Sequence, residues 1–184
     1  MKSLALLAFV WPIGCAPTDV VVAVHDGGMA DKDLCTDDSH CRGNEFCARD
    51  SCNDENGHCE RRQVSVDSTF SPVCGCDGVV YWNDSVRKQL GINMAGQESQ
   101  PECNVGGLAC SGPGTCPHGA SCARESKTCT SDTTGACWQL PPNCPPPGGL
   151  RFVRCADTTT CAAACEAFRT EEPYQRLSSD ECPH

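Results

Sequence analysis

Cysteine is the residue type whose number and spacing could support chemistry in this chain. The 184 residues include 19 cysteines, and no neighbouring pair has the two-residue spacing typical of zinc ligands. Cysteines at this density indicate an exported protein, in which thiols oxidise in pairs. Paired cysteines leave no thiolate for a metal site or a cysteine nucleophile. We therefore expect a disulfide-rich exported protein that is not an enzyme and that uses no cofactor and no metal.

The remaining composition narrows the range of partners. The formal net charge is −10, and clusters of lysine and arginine that could bind nucleic acid are absent. The same acidity disfavours electrostatic docking on anionic membranes. Aromatic residues make up only 5% of the chain, so disulfides must supply stability that apolar burial alone would not.

The cysteine spacing repeats once along the chain. Two sets of five cysteines follow nearly the same intervals, and short stretches match between them, FCARDSC with SCARESKTC and NGHC with TGAC. The sets are Cys35, Cys41, Cys47, Cys52 and Cys59, and Cys110, Cys116, Cys122, Cys129 and Cys137. The repeat predicts two tandem Cys-rich modules, at residues 35–103 and 110–184, joined by a linker at 104–109.

Two cysteine positions of the second module are vacant in the first. Cys144 aligns with Val66, and Cys165 falls opposite Ser85. Because a disulfide needs both ends, the double loss indicates that these positions were partners, which predicts a Cys144–Cys165 bond. The cysteine count is then even in each module, eight in the first and ten in the second.

The N-terminal residues have the layout of an export signal, with a short apolar run that ends at Gly14. The segment up to Cys15 resembles a bacterial lipobox, although Pro12 departs from its pattern. The resemblance implies a signal peptide at 1–14, a lipid on Cys15 and a flexible tether at 15–34. We expect a lipoprotein of the bacterial outer membrane or cell surface, or otherwise a secreted protein.

Local patterns in the first module predict a hairpin followed by a helix. A turn signal at 77–78 precedes a β-prone run at 79–82. Asn83 or Asp84 suits the helix N-cap, and Gly91 suits the helix end.

The second module is expected to follow the same plan. Asp157 or Thr158 is predicted to cap a helix whose inner face carries Cys161, Cys165 and Phe168. The expected fold class is therefore a small disulfide-rich α+β protein, in which each module is an irregular Cys knot followed by a hairpin and one short helix.

The stretch VDSTFSPVCGCDGVVYWNDS at 66–85 resembles a Kazal-type serine protease inhibitor, and the likeness extends over about 64–103. The matching residues are Pro72, Val73, Cys74, Gly75, Asp77, Gly78, Tyr81 and Asn83. Cys103 closes the unit, and the resemblance implies a Cys74–Cys103 bond. The aligned second module then implies a Cys155–Cys182 bond.

Kazal inhibitors present an exposed loop to the protease as a substrate held too rigidly to be released. Carried over by position, Ser68 is the primary specificity residue and Ser68–Thr69 is the reactive peptide bond. Asp67 and Phe70 flank it in the protease cleft. Because Ser68 is small and uncharged, the resemblance implies a subtilisin-like or elastase-like target.

Support for this loop is expected from Asn83, whose amide would hydrogen-bond loop carbonyls from behind, and from Tyr81. Val66 and Ser85 replace the cysteines that tie the loop to the helix in the family, so we expect greater mobility. In the second module Pro146 stands at the specificity position, where it lacks the backbone N–H and has a fixed φ.

Two functions remain open from the sequence. The first is inhibition of an extracellular serine protease through the loop at 67–70. The alternative is a non-inhibitory, disulfide-stapled surface module that binds another envelope protein or has a structural role. Trp82 and Trp138 stand in different contexts in the two modules, so no shared aromatic site is predicted.

Overall fold

The computed structural model describes residues 34–95, 107–129, 133–146 and 151–177. Short strands dominate this part of the chain. They are β1 (Leu34–Cys35), β2 (Glu45–Ala48), β3 (Gly57–Arg61), β4 (Val73–Cys74), β5 (Val80–Tyr81), β6 (Ala109–Cys110), β7 (Ser121–Glu125), β8 (Gly135–Gln139), β9 (Arg151–Arg154), β10 (Asp157–Ala163) and β11 (Pro173–Leu177). The α-helices are α1 (Asp84–Leu90) and α2 (Ala164–Arg169), and 3-10 turns cover Asp38–His40 and Pro117–Gly119.

Both modules begin with the same three-stranded unit. In the first module β3 lies between β1 and β2, and in the second β8 pairs with β6 and β7. A glycine opens the central strand in each case. A Cβ on Gly57 would collide with the carbonyl of Ala48, and a Cβ on Gly135 with the carbonyl of Ala123. The NGHC and TGAC stretches therefore share a backbone constraint.

Disulfide connectivity repeats along with the strands. The corresponding bridges are Cys35–Cys47, Cys41–Cys59 and Cys52–Cys76 in the first module, and Cys110–Cys122, Cys116–Cys137 and Cys129–Cys155 in the second. A further bond joins Cys144 to Cys165 with an S–S distance of 2.03 Å, as the paired vacancy predicted. The protein is thus disulfide-rich with mixed helix and sheet, mostly sheet.

The expected Cys155–Cys182 bond is wrong, because Cys155 is bonded to Cys129. The counterpart of Cys155 is Cys76, which forms the equivalent bridge in the first module, and not Cys74. Cys74 and Cys76 are only two residues apart, and the order of cysteines along the chain does not show which of them corresponds to Cys155.

The hairpin register explains where the equivalent of Cys74 went. Cys74 faces Val80 across the first hairpin, and Cys161 faces Val153 across the second. Opposed residues of an antiparallel pair point to the same face. Both cysteines are disulfide-bonded. The cysteine is therefore on the first strand of the hairpin, β4, in the first module, and on the second strand of the hairpin, β10, in the second module.

The first module follows its predicted hairpin and helix closely. The β-prone run contains β5, and α1 begins after Asn83, whose Oδ1 accepts a hydrogen bond from the Val86 N–H at 3.0 Å. The helix ends at Gly91, which adopts the left-handed conformation with φ of 71°.

The second module departs from its predicted helix start. Neither Asp157 nor Thr158 caps a helix, because both lie in strand β10. The three successive threonines at 158–160 are β-branched, and such residues favour strands. Helix α2 starts only after Ala163, which makes no side-chain cap bond.

The two modules share one sheet and one core. Strand β5 pairs in parallel with β8, placing Val80 opposite Trp138, and the sheet order is β10-β9-β11-β7-β8-β5-β4. The buried cluster contains Tyr81 from the first module together with Cys165 and Phe168 on α2. The two modules are therefore packed against each other through a shared sheet and a shared core.

Several predicted features lie outside the described residues. These are the signal peptide, the lipid site Cys15, most of the tether, and the cysteines Cys103 and Cys182. Within the described ranges, no helix is long and apolar enough to cross a membrane. The many disulfides fit an exported protein.

The connectivity of the second module can be tested by substitution. We expect Cys129→Ser to release one free thiol, on Cys155, because these two residues are partners. Alkylation of the folded variant followed by peptide mass spectrometry should therefore label Cys155. A disulfide-linked peptide pair that contains Cys155 and Cys182 in the parent protein would contradict this assignment.

Candidate functional site

The loop at 67–70 lies on the surface between the first Cys-rich unit and strand β4. All four residues are exposed, and none belongs to a helix or strand. An exposed segment without regular structure is free to present its backbone to a partner. Its conformation must then be held by contacts from behind.

Asn83 supplies the first of these contacts, as the sequence predicted. Its Nδ2 donates to the carbonyl of Asp67 at 2.8 Å and to the carbonyl of Thr69 at 2.7 Å. The two acceptors bracket Ser68. Asn83 is only 4% exposed, and its Oδ1 caps α1, so both ends of the amide are fixed.

Ser85 replaces part of what the missing disulfide would have done. Its Oγ accepts a hydrogen bond from the Asp67 N–H at 2.8 Å and donates to Asn83 Oδ1 at 2.8 Å. A hydroxyl can do both because it carries one donor and two acceptor positions. Sequence comparison registered only the lost cysteine and missed this role.

The Asp67 carboxylate adds an internal brace. Its Oδ1 accepts a hydrogen bond from the Thr69 N–H at 2.7 Å, across Ser68. This bond favours the charged carboxylate and holds the pKa of Asp67 below its usual value. The brace is therefore intact at neutral pH.

Trp82 makes three hydrogen bonds that involve the loop and the second module. Its indole Nε1 donates to the Ser68 carbonyl at 3.1 Å, and its own carbonyl accepts from the Ser71 N–H at 3.1 Å. Its backbone N–H donates to the Gln139 carbonyl at 3.0 Å. The residue is 3% exposed. Sequence reasoning gave Trp82 no role at this site.

Phe70 turns back toward the protein body. Its ring centroid lies 4.5 Å from that of Trp82 and 6.2 Å from that of Trp138. The residue as a whole remains 40% exposed. Its role beside the reactive bond in a protease cleft stays a prediction, and one face of the ring contacts the two tryptophans.

Tyr81 supports the hairpin and makes no direct bond to the loop. Its Oη donates to Asp77 Oδ2 at 2.6 Å, and burial is the main reason that the Tyr81 pKa is raised. Gly75 is required here, because a Cβ would meet the Asp77 carboxylate and the Tyr81 ring.

In residues 133–146 and 151–177, the second module shows no equivalent of this loop support. Ala163 stands where Asn83 stands in the first module, so no amide can bond loop carbonyls. Arg169 Nη2 donates instead to the carbonyls of Pro141 at 2.7 Å and Pro142 at 3.2 Å. Among the described residues, the combination of an exposed loop with donors placed behind it is seen in the first module.

Two groups of three sulfur atoms lie close enough together to resemble metal sites. They are Cys35, Cys41 and Cys59, and Cys110, Cys116 and Cys137, with the sulfurs of each group within 4.8 Å of one another. Each of these cysteines is in a disulfide. The groups therefore mark adjacent bridges, which offer no thiolate ligands.

The Ser85 contacts predict a measurable loss of order in a variant. Ser85→Ala removes the acceptor of the Asp67 N–H, and one net hydrogen bond is worth about 1 kcal/mol. We expect amide hydrogen exchange at Asp67 to accelerate about fivefold or more. Ser71→Ala is the matched control, because Ser71 bonds Trp82 through its backbone N–H. Equal exchange at Asp67 in both variants would remove Ser85 from the loop support.

Comparison with known proteins assigns no family to this chain. No protein-family model matches it, and no curated protein and no solved structure matches it either. The Kazal resemblance therefore depends on the residues at 66–85, and the activity that it implies is a proposal.

Proposed function

We propose that this protein is an exported, Kazal-like inhibitor of serine proteases of the subtilisin or elastase type. The observation that carries the proposal is the pair of hydrogen bonds from the Asn83 amide to the carbonyls on either side of Ser68. Such bonds prearrange an exposed loop before a protease binds it. Prearrangement lowers the ordering cost of binding and so increases affinity.

The same two bonds also bear on the fate of the loop after cleavage. If a protease cut the Ser68–Thr69 bond, the Asp67 carbonyl would remain on one new end and the Thr69 carbonyl on the other. Asn83 would still hold both. Keeping the new termini together gives a high effective concentration for resynthesis of the bond. The cut loop would therefore stay in the cleft.

Specificity follows from the side chains that the loop exposes. Ser68 is small and neutral, so it suits a shallow or apolar specificity pocket and not the carboxylate pocket that binds lysine or arginine. Asp67 precedes it with a carboxylate that stays charged because its pKa is lowered. A protease with an acidic cleft would be disfavoured by this charge.

One contact favours the alternative function of a non-inhibitory surface module. Attack on Ser68 requires its carbonyl to enter the oxyanion hole of the protease. In the free protein that carbonyl accepts the Trp82 indole N–H at 3.1 Å. Binding must break this bond or share it, which lowers affinity. A binding or structural role toward another envelope protein needs no such release.

The proposed location is the cell envelope, with a lipid on Cys15 as the anchor. The support is the likeness of the residues up to Cys15 to a lipobox and the even number of cysteines that remain without it. The mass of the N-terminal peptide of the purified protein tests this part of the proposal directly.

The inhibitor proposal is tested by titrating the mature, oxidised protein against a subtilisin and an elastase. We expect inhibition that is competitive with a peptide substrate. Asn83→Asp is the sharpest variant, because it keeps the Oδ1 acceptor for the Val86 N–H and removes both donors to the loop. Loss of two hydrogen bonds predicts about thirtyfold weaker inhibition with an unchanged helix signal in circular dichroism.

One control variant completes this test. Ser68→Pro should abolish inhibition, because proline in this position cannot supply a backbone N–H to the protease. Absence of inhibition by the parent, or rapid cleavage at Ser68–Thr69, would reject the inhibitor function and leave the non-inhibitory module.

A substitution of Trp82 is expected to strengthen inhibition, whereas Asn83→Asp should weaken it. Trp82→Phe retains an aromatic ring against Phe70 and removes the N–H donor to the Ser68 carbonyl. If the carbonyl must be freed for binding, this variant should inhibit about two- to tenfold more tightly than the parent. Weaker inhibition by Trp82→Phe, at unchanged thermal stability, would show that the indole bond assists binding.

A further inference from the structure

The loop lost its disulfide to the helix, yet an aromatic contact reaches it from the second module. The centroid of the Phe70 ring lies 4.5 Å from that of Trp82, with an angle of 59° between the ring planes. It lies 6.2 Å from the centroid of Trp138, with an interplanar angle of 15°. Trp82 belongs to the first module and Trp138 to strand β8 of the second. Phe70 follows Thr69 directly, so its ring fixes the backbone one residue beyond the proposed reactive bond.

Trp138 is itself held in place by its own module. Strand β8 pairs with β7 on one side and with β5 on the other. The Trp138 ring lies 4.9 Å from that of Phe168, which is 4% exposed and packs in turn on Phe152 and Tyr174. The contact to Phe70 therefore comes from a fixed side chain and not from a mobile surface residue.

The distribution of aromatic residues makes this contact unusual for the chain. Aromatics are scarce, at 5% of all residues. In the described ranges, most of the aromatic residues belong to one cluster of rings in contact. Its members are Trp82, Phe70, Trp138, Phe168, Phe152 and Tyr174. The loop is thus joined to the part of the shared core that the second module contributes, through the residue type that contributes most to packing.

We propose that Trp138 is a positioning residue for the loop at 67–70, and that the second module thereby replaces the disulfide missing between Val66 and Ser85. In its described part the second module has Ala163 where the first has the Asn83 amide, yet it supplies the partner strand for β5 and the Trp138 ring against Phe70. Its effect on inhibition rests on the proposed function, whereas its effect on loop order does not.

The test compares loop order in the full mature, oxidised protein and three variants, by hydrogen exchange at the Asp67, Thr69 and Ser71 amides. Trp138→Ala should accelerate exchange at these amides about two- to tenfold, the range for one aromatic pair. Trp138→Phe should stay within about twofold of the parent, because it keeps a ring.

Leu140→Ala is the matched control. Leu140 is a partly buried hydrophobic residue that packs on the same core one residue past β8. It should lower the melting temperature without selective acceleration at the loop. If it accelerates loop exchange as much as Trp138→Ala does, Trp138 acts only through general stability and the proposal fails.

A restored disulfide tests the replacement itself. Val66→Cys with Ser85→Cys should form a bridge, because the Asp67 N–H already reaches Ser85 Oγ at 2.8 Å. In this background Trp138→Ala should no longer accelerate exchange at Thr69 and Ser71, since the covalent bond now fixes the loop. Undiminished acceleration in the bridged protein would overturn the proposal.

Inhibition constants measured on the same variants separate the two proposals. If the parent inhibits, Trp138→Ala should weaken inhibition by a factor similar to its change in exchange. If no variant inhibits but exchange responds as described, the inhibitor function fails and the positioning role of Trp138 stands. Exchange that is unchanged in Trp138→Ala rejects the positioning role in either case.

Discussion

The position of Trp82 is the constraint on which the rest of this site depends. Its backbone N–H donates to the second module, its indole N–H donates to Ser68 in the loop, and its carbonyl accepts from Ser71, the residue after the loop. Asn83 follows it directly and starts helix α1. A shift of Trp82 would therefore move the loop, the helix cap and the junction between β5 and β8 together. Burial to 3% exposure makes such a shift costly, because three polar groups would lose their partners.

The two modules have kept different parts of one original arrangement. The second retains the Cys144–Cys165 bond but has Ala163 where an amide would be needed. The first retains Asn83 and has Ser85 in place of the cysteine. These supports differ physically. A disulfide acts largely by restricting the unfolded chain, whereas hydrogen bonds and ring contacts act within the native state. The first loop is thus held by contacts that a partner can compete with, as the Trp82 bond to the Ser68 carbonyl illustrates.

Features set by local residue types could be predicted from the sequence. The cap at Asn83, the helix end at Gly91 and the Cys144–Cys165 bond follow from side-chain chemistry or from parity. The errors concern equivalence between distant segments. Cys155 was matched to the wrong cysteine because the repeat moved a sulfur across the hairpin. Likewise, no spacing in the sequence indicates that Trp138 packs against Phe70, because that contact depends on the parallel pairing of β5 with β8.

The shared sheet also explains why a duplicated chain need not have duplicated function. Once β5 pairs with β8, the exposed loop of the first module gains Trp138 as a fixed neighbour, and this contact does not depend on loop support within the second module. Ala163 and the prolines at 145–147 fit this difference between the modules. Alanine has no side-chain donor that could hold a loop carbonyl, and proline has no backbone N–H to offer a protease. Asymmetry between the copies is then the expected consequence of their packing.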